Sequence, residues 1–405
     1  MNCGLLGRVL GHSYSPQIHA MLGDYPYSLF EKEPDEVGDF LKNGDFTGIN
    51  VTIPYKKTVI PFLDELTPAA EKMGAVNTVV RRPDGALLGH NTDYFGFVSL
   101  VQHSGIPVQG RKALVLGSGG ASGTAVQALR DLGATPIVIS RSGENNYGNL
   151  CRHADACLIV NATPVGMYPK NGVSPLDLAA FPHLEGVLDV IYNPAKTRLL
   201  LDAEALGIPG ENGLWMLVAQ AKEAAEYFTG QPISDAVIAP IHRRLSVQMK
   251  NIALVGMPGC GKTTVGRQLA QRLGRKFVDL DDELVKDAGC SIPDIFAREG
   301  EDGFRARETA VLERFSRESG LVLATGGGCV TQAENLPLLW QNSTVCWLQR
   351  DTAALATDGR PLSQGGKLEE MYRIRRPLYE KAADLTVQSD ENAAEAIAAR
   401  LEETL

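Results

Sequence analysis

NIALVGMPGCGKTTVGRQLAQRLG, residues 251–274, decides the fold of the second half of this 405-residue chain. An apolar run is followed by Gly256-Met-Pro-Gly-Cys-Gly-Lys262-Thr263, which satisfies G-x-x-x-x-G-K-[ST]. A helical pattern comes next and closes at Gly274. Glycines let backbone N–H groups turn inward around phosphate oxygens, and the N-terminus of the following helix adds favourable partial charge. In such a turn Gly259, Cys260 and Gly261 offer amides, Lys262 reaches the β- and γ-phosphates, and Thr263 and Thr264 open the helix. The Thr263 hydroxyl is placed to ligate Mg²⁺. Strand, phosphate-binding turn and helix predict an α/β domain with a parallel sheet. The turn alone does not separate a kinase from a GTPase or an ATPase.

A second turn of the same kind lies upstream in KALVLGSGGASGTAVQALRDLG (112–133), with Gly133 closing its helix. Its core is Gly117-Ser118-Gly119-Gly120-Ala121-Ser122, a dinucleotide-type turn with Ser122 where a third glycine or alanine is expected. The next strand, within ATPIVISRS (134–142), ends in Ser140-Arg141-Ser142 rather than in an acid. An acid there would bond a ribose 2′-hydroxyl, whereas Ser140 and Arg141 suit a 2′-phosphate, so NADP(H) is expected. Two nucleotide signatures imply two α/β units, with a short boundary near 248–250.

Apolar residues make up 44% of the chain, enough for a sizeable core, and the formal charge is -9. That balance argues against a nucleic-acid or anionic-membrane binder and leaves room for small anions in a locally cationic pocket. The opening MNCGLLGRVLGHS lacks a basic start and an apolar run, and the seven cysteines are scattered without C-x-x-C spacing. Reduced thiols and a cytoplasmic location are expected, without membrane or nucleic-acid partners. Whether the chain is a monomer or a homo-oligomer is left open.

After the turn in 251–274, FVDLDDEL (277–284) carries Asp279 and Asp281 two apart, facing one side of a predicted strand end, one for metal and one for a hydroxyl proton. GEDGFRARE (300–308), ATGGGCV (324–330), GRPL (359–362) and RIRRPLYEKAADLTV (373–387) follow in order. Residues 250–405 resemble shikimate kinase through this whole set. The resemblance implies Asp281 as the base that binds and orients shikimate, with Lys262 at the phosphates and Asp279 with Thr263 for Mg²⁺. Arg305, Arg375 and Gly327 would hold the substrate, whose carboxylate suits bidentate arginines. Arg360 would come from a lid over the ATP phosphates.

Upstream, GHSYSPQIH (11–19) offers Ser13 and Ser15, NVTIPYK (50–56) ends in Lys56, and GHNTDYFGF (89–97) contains Asp93. A lysine and an aspartate meeting in a pocket would suit carbonyl chemistry; spacing does not show that they meet. With AVNT, NATPVGM and MLVAQA also in order, residues 4–248 resemble shikimate dehydrogenase. The resemblance implies Lys56 and Asp93 at the carbonyl being reduced by NADPH. Ser13, Ser15, Thr52, Asn77, Tyr192 and Gln220 would bind the substrate, and Val190 and Gly213 would sit near the nicotinamide.

The expected architecture is a substrate lobe of 1–100 plus 213–248, a Rossmann lobe of 101–212, and a P-loop kinase domain of 249–405. The substrates implied are 3-dehydroshikimate and then shikimate, on the route to aromatic amino acids. Two rivals remain: a dehydrogenase half that uses quinate, and a metabolite sensor without chemistry. A sensor has no need of the lysine–aspartate pair, the P-loop lysine or the acidic pair, all of which are present.

Overall fold

Parallel strands buried on both faces read as continuous apolar runs, and strands with one wetter face interrupt them. Both kinds occur in the computed structural model, which describes residues 1–11, 13–355 and 367–403. Arg360 and the rest of the expected lid segment up to 366 lie outside the described residues. The chain packs as two units, the first comprising 1–164, 175–192 and 202–242 and the second 165–174, 193–201 and 243–405. No helix among the described residues is long and apolar enough to cross a membrane.

The first unit holds two sheets. One contains β1 (Cys3–Gly7), β2 (Tyr27–Glu31), β3 (Gly48–Val51), β4 (Glu65–Leu66), β5 (Thr78–Arg81) and β6 (Leu87–His90), in the order β2-β1-β3-β5-β6-β4. β5 runs antiparallel to both β3 and β6. The end of β3, the start of β5 and the end of β6 therefore meet at one edge. The run GINVTIPY yields only four residues of strand, because Pro54 cannot donate to a ladder and the chain turns there.

The other sheet is parallel throughout, with β7 (Lys112–Leu116), β8 (Thr135–Ile139), β9 (Leu158–Asn161), β10 (Gly186–Asp189) and β11 (Gly210–Glu211) in the order β11-β10-β9-β7-β8. Strand order reverses between β7 and β9, and ligands of such sheets bind outside the strand ends at that point. The MLVAQA stretch lies on the helix Leu214–Thr229, and the left-handed Gly230 ends it.

The second unit has β12 (Asn251–Val255), β13 (Phe277–Asp279), β14 (Val322–Ala324), β15 (Ser343–Gln349) and β16 (Leu385–Gln388), all parallel, in the order β13-β14-β12-β15-β16. β12 is buried at every position. Ile252 and Leu254 pack with Val265, Leu269 and Leu323 in one core. Each such side chain contributes roughly 1.5–3 kcal/mol. All strand C-termini face one way, which puts the turns after β12, β13, β14 and β15 along a single edge.

A buried histidine makes the first unit acid-sensitive. His19 has no exposed surface, shares a 2.7 Å hydrogen bond between its Nδ1 and Tyr25 Oη, and stacks on Tyr27 at 4.0 Å. Burial pushes its pKa from 6.5 down to about 3, against an opposing contribution from Asn50. Its folded pKa lies below the unfolded one, so the unfolded chain takes the proton first, and stability present above pH 6.5 is lost as pH falls. At pH 5 the loss is about 2 kcal/mol. Urea unfolding of the first unit at pH 7 and pH 5 should show this decline, and His19→Phe should flatten it. An equal decline in both proteins would refute the assignment.

Candidate active sites

The convergent ends of β3, β5 and β6 build the first site. Lys56 follows the turn after β3, Asn77 immediately precedes β5, and Asp93 follows β6. Lys56 Nζ lies 2.6 Å from Asp93 Oδ2, so the pair that spacing left open does meet. Asn77 Nδ2 donates to the other carboxylate oxygen at 2.9 Å, and Asn77 Oδ1 accepts from the Thr92 backbone at 2.7 Å. Asp93 is the first residue of the helix Asp93–Ser104. Asn77 thus orients the carboxylate from one side while the lysine pairs with it from the other.

These groups line a cavity of about 470 Å³ together with Ser13, Ser15, Thr52, Tyr192 and Gln220. Two glycines shape it. A Cβ on Gly96 would come within 2.8 Å of Met216 O, so this glycine lets the helix Leu214–Thr229 lie close enough for Gln220 to accept from Thr92 Oγ1 at 3.4 Å. A Cβ on Gly213 would stand 2.0 Å from Val190 O, which places these two residues in direct contact at the cavity wall.

The dinucleotide turn follows β7 at the reversal of strand order. Gly117 adopts φ +107°, and a Cβ there would lie 3.1 Å from Ala162 O beyond β9. Nothing lies within 4 Å of a Cβ built on Gly119 or Gly120, an open cradle at the start of the helix Gly120–Asp131 that fits a pyrophosphate. Ser122 Oγ donates to Gly117 O at 2.6 Å. The serine therefore ties the turn to its own helix, which accounts for its presence where glycine or alanine was expected. Of this set, Ala121 reaches the cavity. Ser118 and Ser140 do not line it, and Arg141 is exposed on the loop after β8.

The helices around this site share a further anchor. Asp131, at the end of the dinucleotide helix, accepts from Lys72 Nζ at 3.0 Å, Tyr94 Oη at 2.8 Å and Gln127 Nε2 at 2.8 Å. Tyr94 directly follows the Asp93 carboxylate in sequence.

The second site is a cavity of about 710 Å³ along the strand-end edge of the second unit. Gly256, Gly259 and Gly261 take φ values of +147°, +81° and +99°, which turn the loop around Lys262. Lys262 Nζ donates to Gly256 O at 2.9 Å and Met257 O at 3.0 Å. Cys260 is buried, with its carbonyl held by Ser389 Oγ. Thr264 lies beside Thr263 on the cavity wall. Thr263 Oγ1 donates to Asp279 Oδ2 at 2.7 Å, a hydroxyl and a carboxylate side by side. Two hard oxygens of this kind fit Mg²⁺, which takes its remaining ligands from phosphate and water.

The strand-end argument for Asp281 is corrected by the structure. β13 stops at Asp279, which caps the helix Leu280–Ala288 by accepting from Asp281 N at 3.1 Å. Asp281 stands on the first turn of that helix, and both carboxylates reach the cavity from a cap and not from one face of a strand. Burial, then the neighbouring Glu308, lifts the Asp281 pKa to about 6.

Arg305 Nη1 donates to Glu308 Oε2 at 2.7 Å, and Arg375 Nη1 donates to Gly327 O at 3.0 Å; all four residues line the cavity. Glu308 and Arg350 were not anticipated. Glu308 had a signal, its i, i+3 spacing from Arg305 on one helix, whereas Arg350 follows β15 and only the sheet order reveals it. Asn50 was missed in the first site. It shares the Thr52 side of the chain, lines the cavity and accepts from Tyr27 Oη at 2.7 Å.

Both parts of the chain resemble known proteins. Residues 258–405 match the family model "Shikimate kinase", and residues 5–79 match "Shikimate dehydrogenase substrate binding domain". A shikimate dehydrogenase (NADP(+)) of Clostridium perfringens is 34% identical over 264 residues, covering 60% of this chain and 97% of that protein. Shikimate dehydrogenase 1 of Peptoclostridium difficile superposes with a TM-score of 0.56 at 36% identity, covering 61% of this chain and 98% of its own. The Thermus thermophilus shikimate 5-dehydrogenase in complex with NADP(H) and shikimate gives a TM-score of 0.54 at 32% identity, covering 60% and 99%. The chain therefore belongs to the shikimate dehydrogenase family through its first part, and its residues 258–405 carry a shikimate kinase domain.

Proposed function

We propose that this chain performs two consecutive reactions, reduction of 3-dehydroshikimate to shikimate and phosphorylation of shikimate on its 3-hydroxyl. The observation that carries the reading is the presence, in one chain, of a Lys56–Asp93 pair at 2.6 Å in one cavity and a P-loop with an acidic pair and two arginines in another. When bound, NADPH supplies hydride at the first site, and ATP with Mg²⁺ supplies the phosphoryl group at the second.

In the first cavity Lys56 Nζ gives its proton to the carbonyl oxygen, and Asp93, oriented by Asn77, holds the ammonium in place. Ser13, Ser15, Thr52, Tyr192 and Gln220 offer hydrogen bonds to the ring hydroxyls and carboxylate. Arg141 and Ser140 hold the cofactor's 2′-phosphate. In the second cavity Asp281 takes the proton of the attacking hydroxyl, and Arg305 and Arg375 grip the carboxylate. Lys262 neutralises charge on the transferring group.

The test is a single reaction of the purified chain with 3-dehydroshikimate, NADPH, ATP and Mg²⁺, following NADPH oxidation and ADP release separately. ADP should lag behind NADPH consumption. ADP release that stays absent after shikimate is added would overturn the kinase reading. Faster oxidation of quinate than of shikimate would replace the first substrate.

A further inference from the structure

The glycine loop after β14 has an ordered division of its polar groups. Gly326 O accepts from Cys329 N at 3.1 Å, and Gly328 O accepts from Thr331 N at 2.9 Å and from Thr331 Oγ1 at 2.6 Å. Gly327 O has no such local partner. It accepts instead from two side chains of the helix Lys367–Ala382, Tyr379 Oη at 2.5 Å and Arg375 Nη1 at 3.0 Å. All three carbonyls are thus taken by the protein. None of the three N–H groups meets an acceptor among the described residues, and all three glycines line the cavity.

A trans peptide points its C=O and the next N–H in opposite directions. Holding the Gly327 carbonyl therefore turns the Gly328 N–H away from that helix. Gly327 is confined on its other side as well, since a Cβ there would come within 2.6 Å of Pro258 Cγ in the P-loop. Tyr379 has no exposed surface, and its ring stacks against Trp347 with centroids 5.9 Å apart. Nothing in the proposed chemistry uses its hydroxyl. Arg375 has a second task at the substrate carboxylate; Tyr379 has none.

We propose that Tyr379 is a positioning residue for phosphorylation: it pins the Gly327 carbonyl so that the amides of the glycine loop present themselves to the oxygens of the hydroxylated acid. The proposal rests on the reading of this cavity as the shikimate kinase site.

Tyr379→Phe in the full chain tests it, because the ring and its stacking stay and only the hydroxyl goes. Without the hydroxyl, Gly327 O keeps Arg375 Nη1 as its donor and loses the tyrosine. The KM for shikimate should rise about tenfold, with the KM for ATP changed less than twofold. Calorimetric titration of shikimate without nucleotide should show the same weakening, independent of turnover. NADPH oxidation by the same molecules counts the folded chain. An unchanged shikimate KM, or equal rises in both KM values, would overturn the positioning role. A wild-type chain without shikimate-dependent ADP release would instead sink the kinase reading, and this inference with it.

Discussion

Lys56→Ala is expected to lower NADPH-dependent reduction of 3-dehydroshikimate by about a thousandfold, within the range lost when a placed general acid is removed. ADP release from added shikimate should hold its wild-type rate. The size follows from the site's geometry. The Lys56 ammonium lies 2.6 Å from Asp93 Oδ2, and the other oxygen of that carboxylate is already engaged by Asn77 at 2.9 Å. No second cationic side chain lines the cavity among the described residues to take over proton donation. Lys56→Arg should not rescue, because a guanidinium does not give up its proton in proteins. Reduction that persisted within tenfold of wild type would remove Lys56 from the chemistry.

Lys262→Met should produce the mirror image, a fall in ADP release of about a hundred- to a thousandfold, with NADPH oxidation intact. Methionine keeps a stem of similar length, so the buried packing around Lys262 survives while its donations to Gly256 O and Met257 O vanish. The loop keeps its shape from the three left-handed glycines, not from the lysine alone. A protein that lost both activities together would show that the two sites do not act independently.

The two nucleotide turns were legible because their chemistry is local. Gly117 to Ser122 and Gly256 to Thr263 each carry strand, turn and helix within a short stretch, and the structure places each after a buried parallel strand. The Lys56–Asp93 pair was legible as residue types and not as a pair. Their meeting depends on β5 running antiparallel between β3 and β6, a long-range fact that no spacing encodes. Asp281 shows the converse failure. Alternation along FVDLDDEL predicts a strand, yet Asp279 captures the amide of Asp281 and starts a helix at Leu280, so capping chemistry overrides the period-two pattern. Arg350 and Glu308 stayed hidden among other charged residues, since only the sheet order and the burial of Glu308 separate them from a solvated surface.

The contact at Gly96 also bears on how this dehydrogenase could be redesigned. Gly213, Met216, Leu217 and Gln220 all line its cavity. Their spacing of three, four and seven along the helix beginning at Leu214 is one helical face. That face is one exchangeable ridge of the cavity wall, and Met216 and Leu217 are the apolar positions on it to vary for a bulkier or less hydroxylated ring. The ridge keeps its place only while residue 96 lacks a side chain, because a methyl group there meets Met216 O at 2.8 Å. A library that randomises the ridge and leaves Gly96 untouched would change what the pocket accepts without displacing Asp93, the carboxylate that keeps Lys56 aimed.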